Sequence, residues 1–304
     1  MNKNIPKRSP LFYVGDKYKL MKQISQLFPC NINTFLEPFV GGGTVFLNVK
    51  ARKYILNDID SNLIGIHRYL VERSKKAAGF YYELEKIVKL YNLSRSYKED
   101  VVPSKLKKRW EKTYYARFNK EGYEKLRGNY NNASKKNPLV LYMLLIYGFN
   151  RMLRFNRNGH FNLPVGNVDF NKNVVAALNE YFNTVKTRNI LFKSIDFRSF
   201  LKSHKYSKND FIYLDPPYLT TFSEYNKLWN EKSEKDLLAM IDVLDKQGVR
   251  FALSNVTHYN GDKNKILLNW MQKYYVHKIR SNYISYHNNS TKKEITEVLI
   301  TNYE

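Results

Sequence analysis

Short, strongly apolar runs alternate along the chain with longer stretches of helical periodicity, which predicts strands and helices taking turns. Thr34-Phe35-Leu36 reads as a strand, followed by a turn of three glycines at Gly41-Gly42-Gly43 and the start of a helix at Thr44. A second run, Tyr54-Ile55-Leu56, leads straight into Asn57-Asp58-Ile59-Asp60. From about Ser61 to Phe170 the pattern turns helical, with basic and aromatic residues interleaved. Alternation resumes with an amphipathic stretch around Val174–Thr187 and short strands at Ile190-Leu191-Phe192 and Phe211-Ile212-Tyr213-Leu214. The latter stops at Asp215-Pro216-Pro217-Tyr218, because neither proline can donate to a ladder. A helix over Lys232–Lys246, a strand at Val249–Leu253 and a final pair near Tyr274–Ile279 and Ile295–Thr301 complete the pattern. It predicts a doubly wound α/β frame with a mostly parallel sheet and a terminal hairpin, built from residues 1–60 and 171–304 and split by an insertion over 61–170.

Composition, with 43% hydrophobic and 15% aromatic residues, is that of a chain able to bury a core. Cys30 is the single cysteine, so an internal disulfide and a cysteine-cluster metal site are both excluded. No run of about 18 apolar residues is present to span a bilayer, and no signal-like apolar stretch follows the basic start; the expected location is the cytoplasm. Charge changes the picture more. Fifty-one Lys and Arg against 27 Asp and Glu leave a formal +24, which favours a polyanionic partner. Between Arg95 and Lys136 there are 13 basic residues against 5 acidic ones, mixed with Trp110, Tyr114, Tyr115 and Phe118. This is the pattern expected of a nucleic-acid-binding face, and also of an ordinary charged helical surface.

Two places carry chemistry. Glycines at a strand-to-helix turn let a ligand approach the backbone, and an acidic residue about fifteen positions later, at the end of the next strand, sits where nucleotide folds hold a ribose. Asp58 is the candidate, with Asp60 as its competitor and a helix cap as the alternative role. The second place is Asp215 with the Pro216 carbonyl. An exocyclic purine amine is a poor nucleophile because its lone pair is delocalised into the ring. Two acceptors that each take one amine N–H leave the lone pair free to point at an electrophile, while Tyr218 offers a ring for an extruded base.

Asp215-Pro216-Pro217-Tyr218 resembles the D-P-P-Y motif of amino-methyltransferases, and Phe39-Val40-Gly41-Gly42-Gly43 resembles their F-x-G-x-G cofactor loop. Upstream, Tyr13-Val14-Gly15-Asp16-Lys17 is similar to the W-x-G-G-K element of Dam-like, alpha-class (D12) DNA adenine-N6 methyltransferases, with Tyr13 for the tryptophan and Asp16 for a glycine. The resemblance implies a Rossmann-like S-adenosylmethionine-dependent fold with a mainly helical target-recognition insertion. It implies S-adenosylmethionine contacts at Tyr13, Lys17, Glu37, Phe39, Gly41, Gly43, Thr44, Asp58, Ile59 and Asp215, with Asp196 and Phe197 at the adenine ring and Glu37 at the methionine ammonium. Asp215, Pro216 and Tyr218 would be catalytic, and no metal is expected.

The longest match runs from Tyr147 to Gly166 and resembles the Y-N-G-L-x-R-Y-N…G-x-F-N-x-P-x-G loop of the same family. Arg154 falls on the family's base-reading arginine, suited to guanine O6 and N7, though a loop that merely buttresses the active site is the other reading. Phe149 and Asn150 fall on the duplex-inserting aromatic and its neighbour, Asn162 and Pro164 complete the expected DNA contacts, and Arg151 replaces a small residue. The expected target is a flipped adenine in duplex DNA, in GATC or another GAT-containing site. Expected partners are duplex DNA and a cognate restriction endonuclease acting on the same site, with the enzyme a monomer in a bacterial or phage setting. The alternatives are an RNA adenine methyltransferase and a catalytically silent DNA-binding protein.

Overall fold

A computed structural model describes residues 5–221, 229–280 and 295–304, and every expected site residue lies within them. The described strands are β1 (Ile32–Glu37), β2 (Ala51–Asn57), β3 (Ile190–Lys193), β4 (Phe211–Leu214), β5 (Arg250–Tyr259), β6 (Asp262–Lys263), β7 (Tyr275–Ile279) and β8 (Ile295–Thr301). They form one sheet in the order β3-β2-β1-β4-β5-β8-β7, with β6 hairpinned onto β5. Pairing is parallel from β3 through β5 and antiparallel where β8 meets β5 and β7. The expected α/β architecture with a mostly parallel sheet and a terminal antiparallel pair is therefore present.

Helices cover both faces: α1 (Met21–Ile24), α2 (Thr44–Asn48), α3 (Ser61–Arg73), α4 (Ala77–Leu90), α5 (Ser104–Arg109), α6 (Tyr114–Asn132), α7 (Pro138–Tyr147), α8 (Lys172–Val185), α9 (Phe197–Lys202), α10 (Glu231–Lys246) and α11 (Lys265–Trp270). The two-residue period of a strand explains the layering. Phe35, Tyr54, Phe211 and Tyr213 point to a core shared with α3, α7 and α8, while Leu36, Ile55, Ile212 and Leu214 point to a core shared with α9, α10 and α11. Both faces are buried, so these strands read as continuous apolar runs. The first core continues without a break into α6 through Tyr123, Leu126 and Tyr130. Helix α7 is apolar all round and correspondingly buried among its neighbours. Among the described residues no helix is long and apolar enough to cross a membrane.

Ahead of β1 the chain forms a 3-10 turn, the short α1 and a second 3-10 turn, and Lys17, Leu20, Met21 and Ile24 bury one face of this segment. One element departs from the expectation. Strand β5 continues well past Leu253 to Tyr259. Its extension, Ser254-Asn255-Val256-Thr257, is buried despite its polar residues, because it lies between β8, with which it pairs, and α10 and α11.

Strand β1 sits between β2 and β4, and the chain leaves these two neighbours in opposite directions around the sheet. Such a switch point opens a crevice at the strands' carboxyl ends, where ligands of doubly wound folds bind.

Candidate active site

The glycine loop leaves β1 at this crevice, where the backbone favours glycine. Gly41 and Gly43 adopt φ of +48° and +80°, and a Cβ on Gly42 would lie 2.9 Å from the Tyr13 Cβ. Side chains hold the loop at both polar ends of Gly41. Its N–H donates to Asp58 Oδ2 at 3.0 Å, and its carbonyl accepts from His67 Nε2 at 2.9 Å. His67 is fully buried, and burial lowers its pKa to about 4, so the ring is neutral and carries its proton on Nε2, facing the carbonyl. Asn57 ties the ends of three strands together: its amide donates to the Pro38 and Ile195 carbonyls and accepts from Ile195 N–H.

Geometry separates the two competing aspartates. Asp60 caps α3, accepting from Asn62 and Leu63 N–H. Asp58 faces the glycine loop, and burial, only partly offset by backbone N–H bonds, raises its carboxyl to about 6. Ile59 beside it is exposed. Asp196 caps α9 and pairs with Arg198, and Phe197 packs at 5.5 Å from the Phe39 ring. A third ring, Trp229, closes this aromatic cluster at 5.8 Å from Phe39 and 5.4 Å from Phe197. Its indole N–H donates to buried Glu234, which also accepts from Asn255 and Asn264.

Asp215 follows β4 directly. Lys17 Nζ lies 2.8 Å from Asp215 Oδ2 and donates to the Tyr218 hydroxyl at 2.8 Å, and that hydroxyl lies 3.0 Å from Asp215 Oδ1. Glu297, from β8, stands behind them, 3.5 Å from the Tyr218 hydroxyl and 3.9 Å from Lys17 Nζ. Lys17 points inward because Asp16 caps its 3-10 turn, accepting from Tyr18 N–H. The aspartate that departs from the W-x-G-G-K pattern thus starts the turn that buries the lysine. Glu37 completes the cluster at the end of β1. It is 2% exposed, and its Oε2 has no hydrogen-bond partner among the described residues. Burial first, then the Asp215 and Asp58 carboxylates, push its pKa well above the usual range.

A second group lies on the connection after α7. Phe149–Arg151 forms a turn with Asn150 and Arg151 at φ of +55° and +49°. Phe149 is 48% exposed. The chain then folds back as a hairpin closed by bridges at Gly148↔Val165 and Phe155↔Phe161. Arg154 is bound within it, Nε to Asn162 Oδ1 at 2.9 Å and Nη2 to the Asn162 carbonyl at 3.0 Å, while Pro164 is exposed. Helix α6 anchors the hairpin through Tyr123, Arg127 and Asn131. Arg151 reaches over the Phe12 ring at 4.5 Å, which joins the hairpin to the segment carrying Tyr13 and Lys17.

A family model described as "D12 class N6 adenine-specific DNA methyltransferase" matches residues 13–285. The chain belongs to this family. Relatives include the modification methylase StsI of Streptococcus sanguinis, 37% identical over 98% of this chain and 43% of that protein. Type II methyltransferase M.FokI of Planomicrobium okeanokoites is 37% identical over 97% of this chain and 43% of its own length. The DNA adenine methylase of Salmonella typhi is 26% identical over 98% of this chain and 95% of its own length. The chain therefore spans less than half of the first two relatives and nearly all of the third.

The D12 motifs converge. Tyr13, Lys17, Glu37, Phe39, Gly41, Gly43, Thr44, Asp58, Asp196, Phe197, Asp215, Pro216 and Tyr218 gather around the carboxyl ends of β1 to β4, whereas Phe149, Asn150, Arg154, Asn162 and Pro164 form the separate hairpin. Sequence reading missed His67, Trp229, Glu234 and Glu297. None lies in a local motif; the only signals were an acidic residue inside an apolar terminal strand and a histidine on the buried face of α3.

Proposed function

We propose that this chain transfers a methyl group from S-adenosylmethionine to N6 of an adenine flipped out of duplex DNA, in a GATC or other GAT-containing site. One observation carries the reading: Asp215 stands at the switch point with Lys17 and Tyr218 on its oxygens, beside a buried Glu37 whose Oε2 has no hydrogen-bond partner among the described residues. A buried, unpartnered carboxylate next to another carboxylate calls for a cation. S-adenosylmethionine brings an ammonium and a sulfonium, so the residues fit it, with Glu37 receiving the ammonium, Asp58 the ribose hydroxyls and the Phe39, Phe197 and Trp229 rings the adenine. When bound, it supplies an electrophilic methyl group.

The chain's own residues do the positioning. Each carboxylate oxygen accepts more than one hydrogen bond, so Asp215 can take an amine N–H while Lys17 and Tyr218 keep its carboxylate oriented. The Pro216 carbonyl takes the other N–H, and the lone pair is left pointing at the methyl donor. Lys17 fixes the Asp215 carboxylate by an ion pair at 2.8 Å, and because the pair is largely buried its contacts are strong and need no reorganisation during reaction. The 61–170 insertion acts as the target-recognition unit, with Phe149 and Asn150 entering the duplex and Arg154 reading guanine. The names of StsI and M.FokI support a restriction-modification role. The proposal further has a cognate endonuclease sharing the site and the methyltransferase, bacterial or phage-encoded, acting as a monomer in the cytoplasm.

The test is sequencing of unmethylated plasmid DNA at single-molecule resolution after incubation with the protein and S-adenosylmethionine. Methylation of adenine in one short GAT-containing motif is the expected result. Methyl transfer to RNA alone, or to neither nucleic acid, would overturn the proposal.

A further inference from the structure

Beyond Leu253, whose partner is the last residue of β4, strand β5 continues to Tyr259 and turns back into β6. At about 3.3 Å per residue the extension carries the chain roughly 20 Å past the level at which β4 ends. Asn260 and Gly261, both at positive φ (50° and 92°), make the two-residue turn of a tight hairpin. Asp262 and Lys263 pair back onto Tyr259 and His258. Next comes Asn264, which is buried, caps α11 and donates to Glu234. Lys263 and Lys265, both exposed, therefore flank a fixed anchor.

Between this hairpin and the residues that follow the D-P-P-Y motif lies a cleft of about 540 Å³, lined by Leu219, Thr220, Gly261, Asp262, Lys263 and Lys265. Two lysines face one aspartate there, and the Thr220 hydroxyl has no partner among the described residues. Across the rim, the order is the glycine loop on β1, Asp215 on β4, then this hairpin on β5. The Phe149–Arg154 hairpin contacts Phe12, on the glycine-loop side.

We infer that the β5–β6 hairpin is the second wall of the DNA-binding cleft, and that Lys263 and Lys265 bind backbone phosphates of the strand carrying the target adenine. This rests on the proposed DNA methyltransferase activity. Asp215 then forms the floor between two walls of different chemistry. One presents an arginine suited to base edges; the other presents point charges suited to phosphates and carries no sequence information.

The test is the salt dependence of duplex binding by the full chain carrying Lys263→Gln and Lys265→Gln together, alongside wild type and a Lys50→Gln, Arg52→Gln control. The control pair is exposed at the opposite, amino-terminal end of β2. Losing two phosphate contacts should reduce the slope of log Kd against log salt by about 1.8, at about 0.9 per contact. KM for DNA should rise, with kcat and site preference unchanged. An unchanged slope, or an equal fall in the control, overturns the inference while leaving methylation by the wild type intact. A wild type that neither binds duplex DNA nor methylates it overturns the proposed function and this inference together.

Discussion

Glu37→Gln should make the protein more stable without cofactor and worse at holding it. The carboxyl is buried at the end of β1, with one oxygen unpartnered and Asp215 and Asp58 nearby. Its folded-state pKa lies well above that of the unfolded chain, so its contribution to stability is full below about 4.5 and is lost as pH rises toward the folded value. Glutamine keeps the shape and cannot ionise. At pH 8 it removes the penalty that a raised folded pKa imposes on a carboxyl ionised in the unfolded chain, taken at about 1–3 kcal/mol, the cost of a buried polar group left unsatisfied. At roughly 2 °C per kcal/mol for a chain of this size, Tm should rise by about 2–6 °C at pH 8, with little change near pH 5. The loss of a charge-assisted bond to the ammonium, about 1.5–3 kcal/mol, should weaken S-adenosylmethionine roughly 10- to 150-fold. Thermal melting between pH 5 and 8 and titration calorimetry read the two effects separately. A variant that melts below wild type at pH 8, or binds the cofactor within twofold of wild type, refutes the reasoning.

Asp215→Ala should abolish turnover while the protein remains folded, which single-turnover methylation and circular dichroism together will check. Arg154→Ala should cost about 1–3 kcal/mol of base discrimination, seen as methylation at sites altered at one position, with S-adenosylmethionine affinity unchanged. His67 titrates at about 4 in the fold, below its ordinary 6.5, so the stability of its neutral form is complete above about 6.5 and lost as pH falls to 4. The loss reaches about 3 kcal/mol at pH 4. Because glutamine can still donate to the Gly41 carbonyl, His67→Gln should flatten the fall in Tm between pH 6.5 and 4, and an equally steep fall in both proteins would contradict this.

Much of the site was legible because its residues sit where secondary structure must end. Two prolines fix the end of β4 and so place Asp215, and glycines at positive φ or in close approach to Tyr13 mark the end of β1. Asp58 and Asp60 could not be told apart by position. Only the orientation of α3 commits one to the cap and turns the other toward Gly41. The extension of β5 was hidden because Ser254, Asn255 and Thr257 are polar yet buried, giving no apolar period to count. Glu297, Trp229 and Glu234 were invisible for a different reason. Glu297 reaches the site from β8, Glu234 from α10 and Trp229 from just ahead of that helix, and no local spacing reports a contact made across more than two hundred residues, such as Glu297 with Lys17.

The hairpin after α7 springs from a neck that tolerates no side chain. A Cβ on Gly166 would lie 2.7 Å from the Gly148 carbonyl oxygen, and one on Gly148 would lie 2.6 Å from that of Leu144. The two ends are thus pinned together, and Phe149 and Gly166 are stitched to the opposite strand by backbone bonds alone. Within the hairpin, buried Phe161 and Leu163 are held by α6, and Arg151 is held against Phe12. Substitutions at exposed positions such as Phe149 and Pro164 can therefore change what the hairpin presents while the neck and these anchors keep its place.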